Sequence, residues 1–423
     1  MKCDGEELFI IEDFEDFDIL YAPLRGYVAK VVKGADILGD GEFMSELVES
    51  LKSRELVDIQ SELDRLHSSL PELSIPITDD CNLRCRYCYA SAGDDGHTST
   101  FTEEMVDAIL DAYFGFIKEH GKEYADNGEG IVAVTMAGGG EPTSRPEVFR
   151  YAVERCKEHA ASLGLRCEFS MPTNLTCGEE LMRFIIDNFS HISVSMDGPK
   201  DIQDSQRPCR DGSGSFDKVM RNLRMLSESD VRFGFRVTVT RGSVDRMKEI
   251  ADFFNDNFPG HSISFEKVHL MGRTLSEDDY PDELFNRRFG ELLEYAKMKG
   301  IRVRNASMRR PDEIRVSFCR SVGVPNWTVT LDGSIASCTR DNMPDIFTFG
   351  RFDFENRRFD IDEDKIRKIR ELNVLHYPEC TDCFCKYICA GDCPDIRFIS
   401  EPNCDLTRRL IANELKNMLE QGD

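Results

Sequence analysis

Apolar strands alternate with amphipathic helices between Leu73 and about Met271, and this repeat constrains the possible folds of the chain more than any other feature. We predict strands over 73–78, 131–136, 165–171, 191–196, 232–240 and 262–271. We predict helices in the gaps over 102–119, 145–163, 179–188, 215–227 and 244–257. Nearly continuous apolar strands alternating with helices are typical of a parallel α/β sheet buried on both faces. Six such units are too few for a closed eight-unit barrel, so the pattern predicts a partial (β/α)6 barrel over 73–271.

The segments before and after this repeat differ from it in their predicted secondary structure and composition. Residues 1–72 predict a small N-terminal α+β unit, with strands over 8–13, 17–24 and 27–33 and helices over 41–53 and 55–69. Residues 272–315 predict a bridging helical region with a helix near 281–299. Residues 316–423 are cysteine-rich and end in a predicted helix over 405–420. Within them WTVTLDGSIAS predicts a hairpin with a type I′ turn at Asp332-Gly333.

Composition excludes several classes of function. The formal net charge is −25, and the acidic residues are spread along the chain, which disfavours nucleic acid as the partner. No run approaches 18 consecutive apolar residues, and the acidic N-terminus lacks a secretory-signal pattern, so we expect no membrane span and a cytoplasmic location. Sixteen cysteines in such a chain indicate metal binding rather than disulfides.

Three cysteines follow the first strand of the repeat. Cys81, Cys85 and Cys88 have the spacing C-x3-C-x2-C, which supplies three thiolates from one short loop. A cubane [4Fe–4S] cluster has four irons, so this loop would leave one iron open to bind a small molecule. The alternative is a zinc site, which needs a fourth protein ligand such as His97 or Asp80; neither lies at zinc-finger spacing.

The cysteine loop resembles that of the radical S-adenosylmethionine (SAM) enzymes, which share the (β/α)6 fold. The resemblance implies that the open iron chelates SAM, and that one electron from the cluster cleaves SAM to a 5′-deoxyadenosyl radical. It also implies anaerobic chemistry and a low-potential electron donor, flavodoxin or ferredoxin.

Further motifs follow the later strands, where ligands bind in α/β proteins. Gly139, Gly140 and Glu141 of AGGGEPT match the family's Gly-Gly-Glu run, which contacts the SAM amino group; the alternative is a plain turn. The resemblance places other residues near SAM: Tyr87, Asn174, Ser195, Asp197, Arg207 and Arg236. The two arginines are candidates for the SAM carboxylate, with structural pairing as the alternative, and Tyr87 could equally pack in the core.

The C-terminal cysteines resemble the SPASM extension of peptide-modifying radical SAM enzymes. By that resemblance one complete auxiliary cluster is held by Cys380, Cys383, Cys389 and Cys404. A second auxiliary cluster is held by Cys319, Cys338 and Cys393. Its fourth position is open, or is filled by a residue such as Cys385 or by a substrate thiol. Three [4Fe–4S] clusters are therefore expected; zinc ribbons are disfavoured because seven cysteines do not divide into four-thiolate sites.

The leading hypothesis is a peptide maturase, an oxidoreductase that oxidises or cross-links residues of a ribosomally made peptide, with residues 1–72 as a possible leader-recognition unit. A second hypothesis is an anaerobic sulfatase maturase that makes formylglycine. Those enzymes commonly carry an aspartate just after the second SPASM cysteine, whereas Thr339 and Arg340 stand here and Asp341 is displaced. Oxidation of a small metabolite is a third hypothesis. An electron-transfer protein would not explain the open iron beside Gly139–Glu141.

Overall fold

The structure is a computed structural model, and it describes residues 2–3, 6–37, 39–94, 98–121, 130–340 and 344–421. The chain divides into two compact units. The cysteine-rich unit comprises residues 1–68, 306–324 and 367–423. The sheet unit comprises residues 69–305 and 325–366. The domain boundaries expected from the sequence stay a prediction.

Most of the strands belong to the sheet unit. In chain order the strands are β1 Lys2–Cys3, β2 Glu6–Glu7, β3 Phe9–Ile11, β4 Phe17–Ala22, β5 Tyr27–Val32, β6 Leu73–Ser74, β7 Ile131–Thr135, β8 Arg166–Thr173, β9 Phe189–Ser195, β10 Arg232–Val239, β11 Ile263–Lys267, β12 Val303–Arg304, β13 Trp327–Val329, β14 Ser334–Ala336, β15 Thr348–Asp353 and β16 Arg358–Ile361.

The α-helices are numbered in the same way. They are α1 Gly41–Lys52, α2 Ile59–His67, α3 Glu103–His120, α4 Pro146–Ser162, α5 Glu179–Asn188, α6 Lys200–Gln206, α7 Phe216–Ser227, α8 Met247–Asn257, α9 Asp282–Lys299, α10 Arg320–Gly323, α11 Pro344–Phe347, α12 Glu363–Arg370, α13 Lys386–Cys389, α14 Pro394–Ile399 and α15 Cys404–Gln421. Among the helices of the described residues, none is both long and apolar enough to cross a lipid bilayer.

The sheet unit is built on one large sheet with the strand order β12-β11-β10-β9-β8-β7-β6-β13-β14-β15-β16. Neighbouring strands from β6 to β12 are parallel, as the registers Phe235↔Ile263 and Leu73↔Val134 show. The predicted parallel α/β sheet is therefore confirmed. β13 adds a further parallel partner to β6, and β14–β16 continue antiparallel. The described strands β12 and β16 are edges, so the sheet is open.

The two faces of this sheet differ, and the prediction that both are buried is wrong. On β10 the side chains of Phe235 and Val237 are buried, whereas Arg232 and Arg236 on the other face are exposed. Phe235 stacks on Phe254 of α8 with ring centroids 4.1 Å apart, so the apolar face is the one the helices cover. The alternation in RFGFRVTVT has the period of a strand with one polar face. An open sheet covered by helices on one side leaves that polar face available to ligands.

Local sequence signals explain the helix bounds. Thr102 caps α3 by accepting a hydrogen bond from Met105 N, and Glu103 and Glu104 follow in the first turn, where the helix dipole favours negative charge. The helix predicted over 102–119 is confirmed. The sequence did not predict α6, a short helix of seven residues.

The predicted hairpin forms between β13 and β14, but its turn is not type I′. A type I′ turn needs positive φ at both central residues. Gly333 has φ +84°, while Asp332 is outside the left-handed region. Gly333 N donates to Thr330 O (2.9 Å), and Thr330 N donates to Ser334 O (2.8 Å). The loop is therefore one residue longer than predicted, with glycine at the left-handed position.

The N-terminal strands and the C-terminal cysteine segment share one core within the cysteine-rich unit. β3, β4 and β5 form an antiparallel sheet, and alternate side chains point to its two faces. Leu20 packs on one face against Leu47 of α1. Ile19 packs on the other face in a cluster that includes Cys385 and Ile411 of α15. Residues 6–37 are therefore packed between α1 and the cysteine-rich C-terminus.

Candidate active site

The loop that follows β6 carries Cys81, Cys85 and Cys88 at the carboxyl end of the parallel strands. Beyond the effect of burial, Cys85 and Cys88 lie close enough to raise the pKa of Cys81, and Cys88 also raises the pKa of Cys85. Burial, then the nearby Glu141 carboxylate, raises the pKa of Cys81 to about 12. Backbone N–H groups donate to two of the sulfurs, Leu83 N to Cys81 Sγ (3.4 Å) and Ala92 N to Cys88 Sγ (3.5 Å). Hydrogen bonds of this kind tune iron–sulfur clusters.

These thiols fit a cluster better than a single ion. Among the described residues no three potential ligands are grouped tightly enough to hold one metal ion. Each cysteine of a cubane binds its own iron, so the sulfurs are spaced more widely than around zinc. Asp80, considered as a zinc ligand, is in ion pairs with Arg145 (Nη2–Oδ2 3.0 Å) and Arg210. His97 lies outside the described residues.

Three arginines that the sequence analysis did not single out hold the cysteine loop. Arg84 Nη1 and Arg210 Nη2 each donate to the carbonyl oxygen of Cys81 at 2.8 Å. Arg273 Nη1 donates to the carbonyl oxygen of Cys85 at 2.9 Å. Arg84 is within the cysteine motif, but Arg210 and Arg273 come from distant segments, so only the fold brings them to the loop. No local pattern in the sequence points to this role.

The glycine run after β7 packs directly against the loop that follows β6. A Cβ on Gly140 would overlap backbone atoms of Thr78 and Asp80. Glu141 N donates to Asp80 O at 2.8 Å, which fixes the run beside the cysteine loop. A Cβ on Gly139 would lie 3.2 Å from Ala90 Cβ, so a side chain there would crowd the segment that follows Cys88. The structure thus brings Gly139, Gly140 and Glu141 next to the three cysteines.

The Glu141 carboxylate is buried and accepts four hydrogen bonds from the protein. Oε1 accepts from Thr143 Oγ1 (2.7 Å), Thr143 N (3.3 Å) and Thr173 Oγ1 (2.9 Å). Oε2 accepts from Asn174 N (2.7 Å). Burial raises the pKa of this carboxyl, and these hydrogen bonds oppose the rise. Thr143 supplies two of the three bonds to Oε1, whereas Oε2 accepts one, so Oε2 is the oxygen with capacity for a further donor.

Asn174 directly follows β8 and lies beside Cys81, the first cysteine of the loop. Its Nδ2 donates to Asn82 Oδ1 (2.8 Å) and lies 3.8 Å from Cys81 Sγ. Its Oδ1 accepts from Thr176 Oγ1 (2.7 Å). The structure thus places Asn174 beside Cys81, and its expected position near SAM stays a prediction.

Asp197, Arg207 and Tyr87 form a buried network. Arg207 Nε lies 3.0 Å from Asp197 Oδ2, and the Tyr87 hydroxyl donates to the same oxygen. Gln206 Nε2 (2.7 Å) and Thr238 N (3.0 Å) also donate to the Asp197 carboxylate. The Arg207 guanidinium stacks over the Tyr87 ring at 5.1 Å. Arg207 is thus paired within the protein, and the network ties Tyr87 of the cysteine loop to the segment after β9; contact of Arg207 with SAM stays a prediction.

Ser195 and Arg236 lie side by side on the uncovered face of the sheet. They are register partners on β9 and β10. Arg236 is exposed, and it acts on the ionisation of Tyr89, the residue after Cys88. Burial raises the pKa of Tyr89 to about 12, and Cys338 and Arg340 are also near enough to affect it. Arg236 is thus on the uncovered face of the sheet and near the cysteine loop.

Four of the C-terminal cysteines come together in the cysteine-rich unit. Beyond the effect of burial, Cys383 and Cys404 lie close enough to raise the pKa of both Cys380 and Cys389, and Cys383 raises the pKa of Cys404. A hydrogen bond from the Cys385 thiol, with help from Arg408, lowers the pKa of Cys383 to about 5. The four residues that the SPASM resemblance assigns to one cluster are therefore neighbours.

The other three SPASM cysteines are distributed over both units. Cys319 and Cys393 both lie near the Tyr377 hydroxyl in the cysteine-rich unit. Cys338 belongs to the sheet unit, where it lies near Tyr89. Cys385, one candidate for the fourth ligand of this second cluster, lies instead in the apolar core beside Cys383. The assignment of Cys319, Cys338 and Cys393 to one cluster stays a prediction.

Comparison with known proteins agrees with this site. The Radical SAM superfamily model matches residues 75–254, the segment that contains the cysteine loop and the glycine run. A cysteine-type anaerobic sulfatase-maturating enzyme of Clostridium perfringens is 26% identical over 380 residues, covering 83% of this chain and 96% of that protein. An AdoMet-dependent heme synthase of Nitratidesulfovibrio vulgaris is 28% identical over 174 residues, covering 41% of this chain. The chain spans 42% of the length of that heme synthase.

Solved structures share the fold. Native anSMEcpe with bound AdoMet and Kp18Cys peptide superimposes with a TM-score of 0.62 at 18% identity, covering 83% of this chain and 99% of that one. Streptococcus suis SuiB bound to precursor peptide SuiA superimposes with a TM-score of 0.53 at 13% identity, covering 93% and 97%. Residues 75–254 therefore form a radical SAM domain, and the chain shares the fold of anSMEcpe and SuiB. A radical SAM domain implies SAM and a [4Fe–4S] cluster as cofactors.

Proposed function

We propose that this enzyme cleaves SAM reductively and uses the resulting radical to oxidise or cross-link a residue of a peptide. The observation that carries the proposal is the position of Cys81, Cys85 and Cys88 at the carboxyl end of an open sheet with one uncovered polar face. An uncovered face offers an extended peptide room that a sheet buried on both sides lacks. The solved relatives with bound peptides share this fold.

The residues around the cysteine loop divide the work of holding the cofactors. The three thiolates would hold a [4Fe–4S] cluster whose fourth iron binds SAM and supplies one electron for its cleavage. The backbone of Gly139 and Gly140, with Oε2 of Glu141, would accept hydrogen bonds from the SAM ammonium group. Arg236 on the uncovered face would pair with the SAM carboxylate, because the charge of Arg207 is compensated by Asp197.

The C-terminal cysteines suit a net oxidation of the substrate. Cys380, Cys383, Cys389 and Cys404 supply the four thiolates that a complete cubane needs. Such a cluster provides an acceptor for the electron that remains after hydrogen abstraction. A second auxiliary cluster on Cys319, Cys338 and Cys393, and electron delivery by a flavodoxin or ferredoxin, complete the proposal.

Formylglycine formation is the second candidate, and the match to a sulfatase-maturating enzyme along 96% of its length favours it. The residues after Cys338 argue against it. Thr339 and Arg340 stand where that group commonly has an aspartate as proton acceptor. Asp341 lies outside the described residues. Neither described residue is a carboxylate that could accept the proton.

A comparison of two peptides, each incubated separately with the enzyme, tests the proposal. The reconstituted enzyme is incubated anaerobically with SAM, a reductant and either a precursor peptide encoded beside its gene or the Kp18Cys peptide. We expect mass spectrometry to show oxidation or a cross-link in the precursor peptide and no formylglycine in Kp18Cys. Formylglycine in Kp18Cys alone would establish the second candidate. Oxidation of a free metabolite with neither peptide modified would contradict both.

A further inference from the structure

A single arginine after β11 holds four points of the cysteine loop. Its Nη1 donates to Cys85 O (2.9 Å), its Nη2 to Ala92 O (3.1 Å), and its backbone N to Cys88 O (2.9 Å). Its Nε donates to Asp94 Oδ2 (2.8 Å), and its Nη2 also pairs with that carboxylate. This residue is Arg273. β11 and β6 are separated by four strands in the sheet, so the contact joins segments that follow two distant strands.

The residue before Arg273 shows that the approach of the two backbones is close. Gly272 has φ +54°, in the left-handed region that favours glycine. A Cβ at this position would overlap the carbonyl oxygens of Cys88 and Tyr89. The 272–273 backbone therefore lies directly on the cysteine loop, independently of the Arg273 side chain.

The Arg273 guanidinium contributes both a fixed geometry and a positive charge to this contact. Its planar fork holds several acceptors at fixed angles, and its charge is permanent. The Arg273 side chain is largely buried, at 20% exposed, so water screens its charge only partly. A reduced iron–sulfur cluster carries one more negative charge than the oxidised one, and net charge near a cluster sets its reduction potential.

We propose that Arg273 is a positioning residue of the SAM-binding cluster, which fixes the Cys85–Asp94 segment and raises the reduction potential of the cluster, because its charge offsets that of the Asp94 carboxylate beside the loop. Arg84 and Arg210 brace the opposite end of the same loop at Cys81. The cluster is the one that the radical SAM domain implies, whatever the identity of the substrate.

The test is a redox titration of reconstituted Arg273→Gln and Arg273→Lys enzymes. The signal followed is the part of the electron paramagnetic resonance spectrum that changes when SAM is added, because this identifies the SAM-binding cluster. The control is Arg155→Gln, which removes a half-buried ion pair to Asp107 (2.8 Å) on helices outside the loop. Iron content is measured for every variant.

For Arg273→Gln we expect the midpoint potential of the cluster to fall by about 59 mV, which is a tenfold effect for a one-electron couple. At the wild-type midpoint potential, the ratio of reduced to oxidised cluster then falls about tenfold. Arg273→Lys keeps the charge and should stay within about threefold of wild type, with less iron bound because the fork is lost. A Gln variant that binds no SAM-responsive cluster while the Lys variant does would also support positioning. A full iron content and wild-type midpoint in Arg273→Gln would overturn the proposal. Absence of a SAM-responsive signal in the wild type would instead contradict the function proposed above.

Discussion

Arg207 and Asp197 form an ion pair in the interior of the sheet unit, with Nε 3.0 Å from Oδ2 and side chains that are 9% and 1% exposed. The Tyr87 hydroxyl donates to the same carboxylate, so this pair also anchors the middle of the cysteine loop. Sequence resemblance suggests Arg207 as a cation for SAM. Its charge is compensated within the protein and the pair holds Tyr87, while contact of Arg207 with SAM stays a prediction.

Removing the carboxylate charge of this pair should destabilise the protein. Asp197→Asn leaves the buried Arg207 guanidinium without compensation, and breaking a buried pair in this way costs about 3–5 kcal/mol. Urea unfolding followed by circular dichroism measures the change. The control is Asp201→Asn, whose ion pair with Arg246 is 65% exposed on the acidic side, for which about 0–1 kcal/mol is expected. Equal losses in both variants would show that the buried pair has no special weight.

Arg236 should be the arginine that contributes to SAM affinity. Losing a hydrogen bond between charged groups costs about 1.5–3 kcal/mol, so Arg236→Gln should weaken SAM binding by roughly tenfold or more. Arg232→Gln is a matched control, because Arg232 lies on the same strand and face, where it pairs with Glu168 (3.3 Å). Equilibrium binding of SAM to the reconstituted variants is the measurement. Equal affinities for the two variants would remove Arg236 from the SAM site.

Glu141 should affect both stability and SAM binding. Glu141→Ala leaves the buried donors of Thr143, Thr173 and Asn174 without their acceptor, which costs about 1–3 kcal/mol of stability for each donor left unpaired. If Oε2 also accepts from the SAM ammonium, affinity should fall by roughly tens of fold. Unfolding and SAM binding are measured on the same preparation. A loss of stability with unchanged affinity would limit Glu141 to internal packing.

The N-terminal residues should be needed to bind iron in the cysteine-rich unit. Deleting residues 1–70 removes Ile19 and its neighbours from the core that contains Cys385 and Ile411. We expect the truncated chain to lose about four irons, the content of one cubane. Iron and sulfide analysis after reconstitution measures this. A truncated chain with full iron content would show that the N-terminal strands are dispensable for the cluster. Leader recognition by residues 1–72 stays a prediction, and point variants at Lys30 and Val32, the exposed positions of β5, test it better than a deletion.

The sequence predicted those features that local patterns determine. Periodicity located the strands and helices of the sheet, and the spacing of Cys81, Cys85 and Cys88 indicated a cluster loop. It failed where side-chain environment depends on distant segments. The mainly apolar composition of the strands predicts a sheet that is buried on both faces. The alternation of polar and apolar residues in RFGFRVTVT is the local signal for the polar face that the structure shows.

Long-range pairing accounts for the rest. Whether Arg207 meets SAM or Asp197 depends on how α6 packs against β9, which the residues around Arg207 do not specify. Arg273 lies nearly two hundred residues along the chain from the loop that it holds. Residues 6–37 and the C-terminal cysteines share a core, which no motif in either segment indicates.

The central claim is that Cys81, Cys85 and Cys88 hold the cluster that cleaves SAM. The most direct measurement is the formation of 5′-deoxyadenosine under anaerobic, reducing conditions by wild type and by a Cys81→Ala, Cys85→Ala, Cys88→Ala variant. The wild type should bind about twelve irons, for three cubanes, and the variant about four fewer. We predict that the variant keeps its C-terminal iron and forms no 5′-deoxyadenosine. Continued 5′-deoxyadenosine formation by the triple variant would contradict the assignment of the active site.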